Sequence, residues 1–248
     1  MIVATVAFVA TAAIAQGDYK EYEKDNKFYG TTPFINLSDM PDLYSAMPAH
    51  PSFDSPEFAY DMTRYLWGKQ QRQDSVRVKM AISDALWDDL EDVYANWQDA
   101  LGMKINKAET PEIYQLLCKS LRTIDPTRRS VKAKYHRQRP FERFNDSMPS
   151  HEEDELRGEG SYPSGHTLRG WTITLVLIQV APDRAVELYK RGMDYGQSRV
   201  IVGAHWQSDV DNSRVAASML FSLLQTNDDF LAQMNRAKKE YKKKLSGN

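Results

Sequence analysis

From Ser55 to Leu245 the apolar residues of this chain recur three and four positions apart, and no strict every-second-residue alternation is sustained. That periodicity restricts the chain to helices, since a half-buried strand needs a period of two and an amphipathic helix one of 3.6. Ser55-Pro56-Glu57 reads as an N-cap with proline in the first turn, opening a helix through Phe58, Met62, Tyr65 and Leu66. Residues 76–101 carry Val78, Ile82, Leu86, Leu90, Val93 and Trp97 at near-helical spacing and predict continuous helix. Thr110-Pro111-Glu112 starts another, with Ile113, Leu116, Leu117, Leu121 and Ile124 on its inner face. Further helices are predicted over 164–180, 182–202, 206–224 and 227–245, the first two separated by Ala181-Pro182. The expected fold class is all-α, a multi-helix bundle over 56–248, and 248 residues suffice for one sizeable core.

The residues before this region read differently. Residues 16–55 are rich in Pro, Asp, Asn and Tyr, and Pro41, Pro48 and Pro51 oppose a long helix, so an extended arm on the bundle is expected. Residues 1–15 carry no charge and end in Ala13-Ile14-Ala15, the apolar region and small-residue cleavage site of a secretory signal peptide. They lack the basic start of such a signal, and the segment is too short to span a bilayer. The expectation is export to the periplasm or medium, with no stable membrane association. Residues 141–162 contain no clear helix, and Glu152, Glu153, Asp154 and Glu155 there read as a solvated surface, or as a lid.

The net charge of -2 gives no broad basic stripe for a nucleic-acid backbone, so no nucleic-acid partner is expected. The basic run at 238–244 reads as a solvated helix face. Cys118 is the single cysteine, which excludes an intrachain disulfide and any multi-cysteine zinc site, and its place in an apolar row predicts burial.

Three segments carry candidate chemistry. Lys132 and Arg139 lie seven residues apart, about two helical turns, and Pro140 makes the chain turn after Arg139. An isolated pair of this kind reads as surface charge. Pro163-Ser164-Gly165-His166 stands at the start of an apolar helical run, with Ser164 a natural N-cap and Gly165 permitting close approach to the backbone. The free N–H groups and positive dipole end of a helix N-terminus make an anion site, and His166 would sit beside it. Alone, it also reads as a capped helix with a surface histidine. The third segment supplies Arg199 and the pair His205 and Asp209, four residues apart and so on one face if helical. A carboxylate there would hold one ring nitrogen and leave the other as nucleophile or base.

Together these parts fit phosphoryl transfer, whose transferred group spreads negative charge over three oxygens. Lys132, Arg139 and Arg199 would supply the positive charge, so no metal and no cofactor are expected; three neighbouring cations would repel a metal ion.

Every specified position of the pattern K-x6-R-P, P-S-G-H, S-R-x5-H-x3-D is filled, and the chain resembles the type 2 phosphatidic-acid-phosphatase superfamily. The longer runs Gly160-Ser-Tyr-Pro-Ser-Gly-His-Thr and His205-Trp-Gln-Ser-Asp-Val-Asp resemble the bacterial class A nonspecific acid phosphatases. The resemblance is dense over 132–214 and looser over 54–123. It implies an all-α bundle and hydrolysis of small phosphate monoesters of broad kind, with phosphate transfer to alcohols as a second outlet. It implies His205 as the nucleophile that becomes phosphohistidine, Asp209 as its orienting partner and His166 as the acid and then base. Lys132, Arg139, Ser164, Gly165 and Arg199 would hold the phosphate oxygens. The resemblance also implies a homo-oligomer, as in many members. Several class A relatives carry intrachain disulfides, which Cys118 alone rules out, and His136 falls outside the pattern and reads as surface. Two other functions stay open: a vanadate-dependent haloperoxidase, and a phosphate-binding protein that does not turn over.

Overall fold

A computed structural model describes residues 23–247, and no strand occurs among them. The export signal expected at 1–15 lies outside the described residues, as does the start of the arm. The described part of the arm is helical at 23–29, makes single turns at Leu37–Asp39 and Leu43–Ala46, and is otherwise irregular. Tyr29, Met40, Leu43 and Met47 anchor it in the main core.

The helices that build the bundle are α1 (Phe58–Gln71), α2 (Ser75–Ser83), α3 (Leu90–Ala95), α4 (Pro111–Ile124) and α5 (Arg128–Tyr135). They continue with α6 (Pro140–Phe144), α7 (Gly165–Val180), α8 (Ala185–Ile201), α9 (Gln207–Leu224) and α10 (Asp228–Leu245). Every residue of α7 from Gly165 to Thr174 is buried, followed by Val176, Leu177 and Val180. A helix apolar on all sides must lie in the centre, and α7 packs against α4, α8, α9 and α10. Its crossing with α8 is close because glycines face side chains there. A Cβ on Gly170 would meet the Tyr195 ring, and one on Gly192 would meet Thr174. Trp97 donates to Thr174 Oγ1 at 3.1 Å and its ring lies against Tyr195, which closes the far side of that crossing.

The inner face expected for α4 is the one observed, with Ile113, Leu116, Leu117, Leu121 and Ile124 all buried. Its N-terminus is capped from outside: the Glu240 carboxylate of α10 accepts from the backbone N–H of Glu112 at 3.2 Å and of Ile113 at 2.9 Å. A carboxylate on free N–H groups at the positive end of a helix is favourable on both counts. Cys118 is buried as expected, 3.4 Å from the Tyr94 hydroxyl.

Some sequence expectations give way. The helix expected over 76–101 breaks at Asp84, resumes as α3 and ends with a turn at Gln98–Leu101. Asp84 is fully buried and its carboxylate is bound by Arg191 and Ser198 of α8, which draws the chain out of helical register. Asp89 then caps α3 by accepting from Glu91 N at 2.7 Å and Asp92 N at 3.4 Å. Extrapolating the period across the break puts Leu86 inside, whereas it is 52% exposed. The helix expected from Ser55 begins at Phe58: Phe58 N–H bonds to Ser55 O in a tight turn, and the Ser55 hydroxyl caps nothing. Phe58 and Tyr65 face inward, but Leu66 is 61% exposed. The 141–162 stretch is not helix-free, since it holds the end of α6 and a single turn at Glu153–Leu156.

Candidate active site

The eight residues singled out in the three segments converge at the N-terminal end of α7. Lys132 lies in α5 and Arg139 is the N-cap of α6, with His136 in the left-handed region between them, so the chain turns rather than continuing for two helical turns. The turn still brings both cations to one acceptor. Lys132 Nζ donates to Gly160 O at 2.5 Å, and Arg139 Nη2 donates to the same carbonyl at 3.3 Å. Arg139 Nε donates to Glu159 O at 2.9 Å and Nη1 to Ala204 O at 2.9 Å. These acceptors carry no charge, so the two cations stay uncompensated. Burial, then repulsion from Arg139 and Arg128, pushes the Lys132 ammonium well below its ordinary range. Burial, then the charge on Arg199, pushes the Arg139 guanidinium down to about 10. His136 is exposed, as expected.

Ser164 caps α7 as expected, accepting from Thr167 N at 3.3 Å. Thr167 Oγ1 also donates to it at 2.9 Å, so the Ser164 hydroxyl keeps its own proton for another acceptor. Gly165 has a structural reason: a Cβ there would stand 3.1 Å from the Arg128 side chain, which Asp125 holds through Arg128 Nε at 2.7 Å. At the positive end of α7, Lys132 and Arg139 thus share Gly160 O, Arg139 meets His205, and Arg199 and His166 meet Glu152.

His205 and Asp209 do not share a helix face. α9 begins at Gln207, and Asp209 sits in its first turn, accepting from Trp206 N at 2.8 Å. That places its Oδ2 3.5 Å from His205 Nδ1, which has no closer polar partner, while Arg139 Nη1 is 3.2 Å from Nε2. A guanidinium has no lone pair to offer, so Nε2 accepts and the proton of the neutral ring is on Nδ1, towards the carboxylate. Burial and then Arg139 hold the imidazole well below its ordinary range, against the pull of Asp209. Burial opposes ionisation of Asp209, but Arg137, His205 and the Ser161 hydroxyl outweigh it and hold the carboxyl well below the usual range.

His166, in the first turn of α7, contacts Ala85 O through Nε2 at 3.0 Å and Arg169 Nη2 through Nδ1 at 3.5 Å. The carbonyl requires a proton on Nε2 and the guanidinium a lone pair on Nδ1, which defines the tautomer. Burial, followed by the charges of Arg199 and Arg169, holds its imidazolium form well below the ordinary range.

Arg199, fully buried at the C-terminal end of α8, donates through Nη2 to Glu152 Oε1 at 2.7 Å, while Nε and Nη1 have no partner among the described residues. Glu152 Oε1 is also 3.9 Å from His166 Nε2. This corrects the solvated reading of the acidic run: its first carboxylate reaches the cationic centre because Arg199 has no other anion to meet.

Sequence reasoning misses the support beneath the site. Arg137, fully buried, donates to Asp209 Oδ1 at 2.6 Å, Asp61 Oδ2 at 2.7 Å and Ser208 Oγ at 2.8 Å. Asp61, on α1, accepts from Ser208 N at 2.7 Å, and Ser161 Oγ donates to Asp209 Oδ2 at 2.5 Å. Arg169 is missed as well; it stacks 3.8 Å from the centroid of the Trp87 ring, which meets His166 edge-on at 5.7 Å. A charged residue one turn after His166 in an otherwise apolar helix was the available signal for Arg169.

Comparison with known proteins gives the family. Residues 117–227 match the PAP2 superfamily, the span that contains α7, α8, α9 and all eight residues. A non-specific acid phosphatase of Salmonella typhimurium is 39% identical over 211 residues, covering 84% of this chain and 83% of the relative. A non-specific acid phosphatase of Providencia stuartii is 36% identical over 230 residues, covering 87% and 92%. An acid phosphatase of Zymomonas mobilis is 35% identical over 204 residues, covering 82% and 76%. With its helical bundle, its converging signature residues and this extent of identity, the chain belongs to the PAP2 superfamily.

Proposed function

We propose that the protein is an acid phosphatase that hydrolyses a broad range of small phosphate monoesters through a phosphohistidine on His205, without a metal ion. The observation that carries this reading is the convergence of Lys132, Arg139 and Arg199 on the His205–Asp209 pair and His166. The names of the relatives support the reaction class.

In the proposed sequence the phosphate takes its place among the three cations, the Ser164 hydroxyl and the Gly165 N–H. Arg139 Nη1 turns from Nε2 to a phosphate oxygen, and the lone pair this frees on His205 Nε2 attacks phosphorus as the ester P–O bond breaks. Asp209 keeps the proton on Nδ1 and stabilises the positive ring that forms. The imidazolium form of His166 gives a proton to the departing alkoxide. It then takes one from the water whose oxygen bonds to phosphorus while the P–N bond breaks, freeing inorganic phosphate and His205. An alcohol in place of water gives phosphate transfer by the same step. Because burial and two guanidinium groups disfavour the acid form of His166, activity should be greatest at mildly acidic pH.

The full chain should hydrolyse p-nitrophenyl phosphate in excess EDTA at mildly acidic pH, and added glycerol should divert part of the phosphate into glycerol phosphate. Loss of activity on chelation, restored by a divalent ion, would overturn the metal-free mechanism. We further propose that residues 1–15 direct export to the periplasm. Fractionation of cells producing the full chain would place the activity with the periplasmic contents, and retention in the cytoplasm would contradict it.

A further inference from the structure

We propose that Glu152 is a resident anion of the phosphate seat, occupying Arg199 in the unliganded protein and leaving when a phosphate enters, so that it sets the affinity for every phosphate ligand. The proposal rests on the function above for the identity of that ligand.

The Arg199 side chain is completely buried, and a buried guanidinium without a partner is strongly unfavourable. Its charged contact is the Glu152 carboxylate at 2.7 Å, which also lies 3.9 Å from the Nε2 of His166. One carboxylate oxygen thus stands between the cation and the proton donor assigned to substrate, where an oxygen of a phosphate monoester has to be. A carboxylate brings one negative charge and reaches Arg199; a phosphate dianion brings two and has oxygens for Lys132 and Arg139 as well. The dianion is therefore the stronger ligand of the same donors.

The segment carrying Glu152 is built to let go. Its other bonds are local: Ser150 Oγ to Glu152 Oε2 at 3.1 Å, Met148 N to Glu153 Oε2 at 2.9 Å and Arg157 to Glu153 at 2.5 Å. Apolar anchoring comes from its two ends, where Met148 and Leu156 pack with Phe141 and Ile201. His151, Asp154 and Glu155 are exposed. Between the anchors Ser150 is buried and Glu152 reaches Arg199, and releasing that ion pair removes the charged contact of the tip with the core without disturbing either anchor.

The test is binding of inorganic phosphate to the full chain, by calorimetry, in the wild type and in Glu152→Gln, together with hydrogen exchange of 148–157 in the wild type. The expected result is phosphate affinity about tenfold tighter in Glu152→Gln, the scale of one charge-assisted hydrogen bond. The kcat/KM for p-nitrophenyl phosphate should rise by the same factor, since substrate and product displace the same carboxylate. Saturating phosphate should speed exchange at the tip in the wild type, a readout that needs no variant. Unchanged or weaker binding in Glu152→Gln, or a tip that phosphate leaves equally or better protected, would overturn the proposal. Absence of phosphate binding in both proteins would instead overturn the assignment of the seat itself.

Discussion

Ser198 and Arg199 are consecutive residues of α8, both fully buried, and they serve two opposite kinds of ionic cluster. The Ser198 hydroxyl belongs to a closed one: it donates to Asp84 Oδ2 at 2.5 Å, Arg77 donates to Ser198, and Arg191 binds the Asp84 carboxylate and the Asn96 carbonyl. Arg137 with Asp61 and Asp209 is closed in the same way except at Arg137 Nε, which has no hydrogen-bond partner among the described residues. In both, carboxylates answer guanidinium groups inside the protein, which is the condition under which buried charge is tolerated. Around Arg199, by contrast, three cations meet main-chain carbonyls and the carboxylate of Glu152, and two buried N–H groups of Arg199 have no partner among the described residues. The closed clusters hold the frame; the open one has charge to give to a ligand. The two are coupled, because the Asp84 cluster fixes the chain at Ala85, whose carbonyl orients His166, and the Arg137 cluster fixes Asp209 behind His205.

Opening a closed cluster should cost the most. Arg137→Ala strands two buried carboxylates, and thermal unfolding should show a loss of about 3–5 kcal/mol, on the order of 10 °C in Tm. A loss under 1 kcal/mol would mean that Arg137 is not structural. Removing a cation from the open cluster should do the reverse. Arg199→Ala should lower kcat/KM for p-nitrophenyl phosphate by about 10²–10³, the range for one preorganised donor to developing negative charge. Its Tm should stay close to wild type, since Lys132 and Arg139 lose a repelling neighbour. A large fall in Tm with little loss of activity would erase the distinction between the clusters.

The smallest expected effect is a shift in pH dependence. His166 faces Arg169 from its own helix, Arg199 from α8, Glu152 from the acidic segment and His205 from the turn before α9. Arg169 opposes the imidazolium, so Arg169→Gln lets the pKa of His166 rise. In the proposed mechanism its proton goes to the leaving group and is lost as pH rises through that pKa, so the alkaline limb of kcat/KM should move up by about half to one pH unit. A loss of activity equal at all pH values, with no displacement of the limb, would reduce Arg169 to a packing role.

What the sequence made legible follows from how local each feature is. The cap at Ser164, the start of α4 at Pro111, the all-round apolar character of α7 and the inner face of α4 depend on neighbours within a few positions, and they stand where the pattern put them. The three signature segments were legible as a set because phosphate chemistry restricts the residue types. The break at Asp84 was not, since its cause is Arg191, 107 residues away. Arg137 and Asp61, 76 residues apart, look like ordinary surface charges until the fold buries both. Glu152 was placed in solvent for the same reason: within its own segment nothing distinguishes it from Glu153, and Arg199 lies 47 residues on.

The central claim is that His205 carries the phosphoryl group. Mixing the full chain with p-nitrophenyl phosphate, quenching within one turnover into alkali and mapping peptides by mass spectrometry tests it directly, since phosphohistidine is lost in acid and survives base. One acid-labile phosphoryl group is expected on His205, absent from Asp209→Ala to the extent that its burst is absent, and abolished with turnover in His205→Ala. Rapid turnover with no phosphate on His205, or phosphate carried by another side chain, would contradict it.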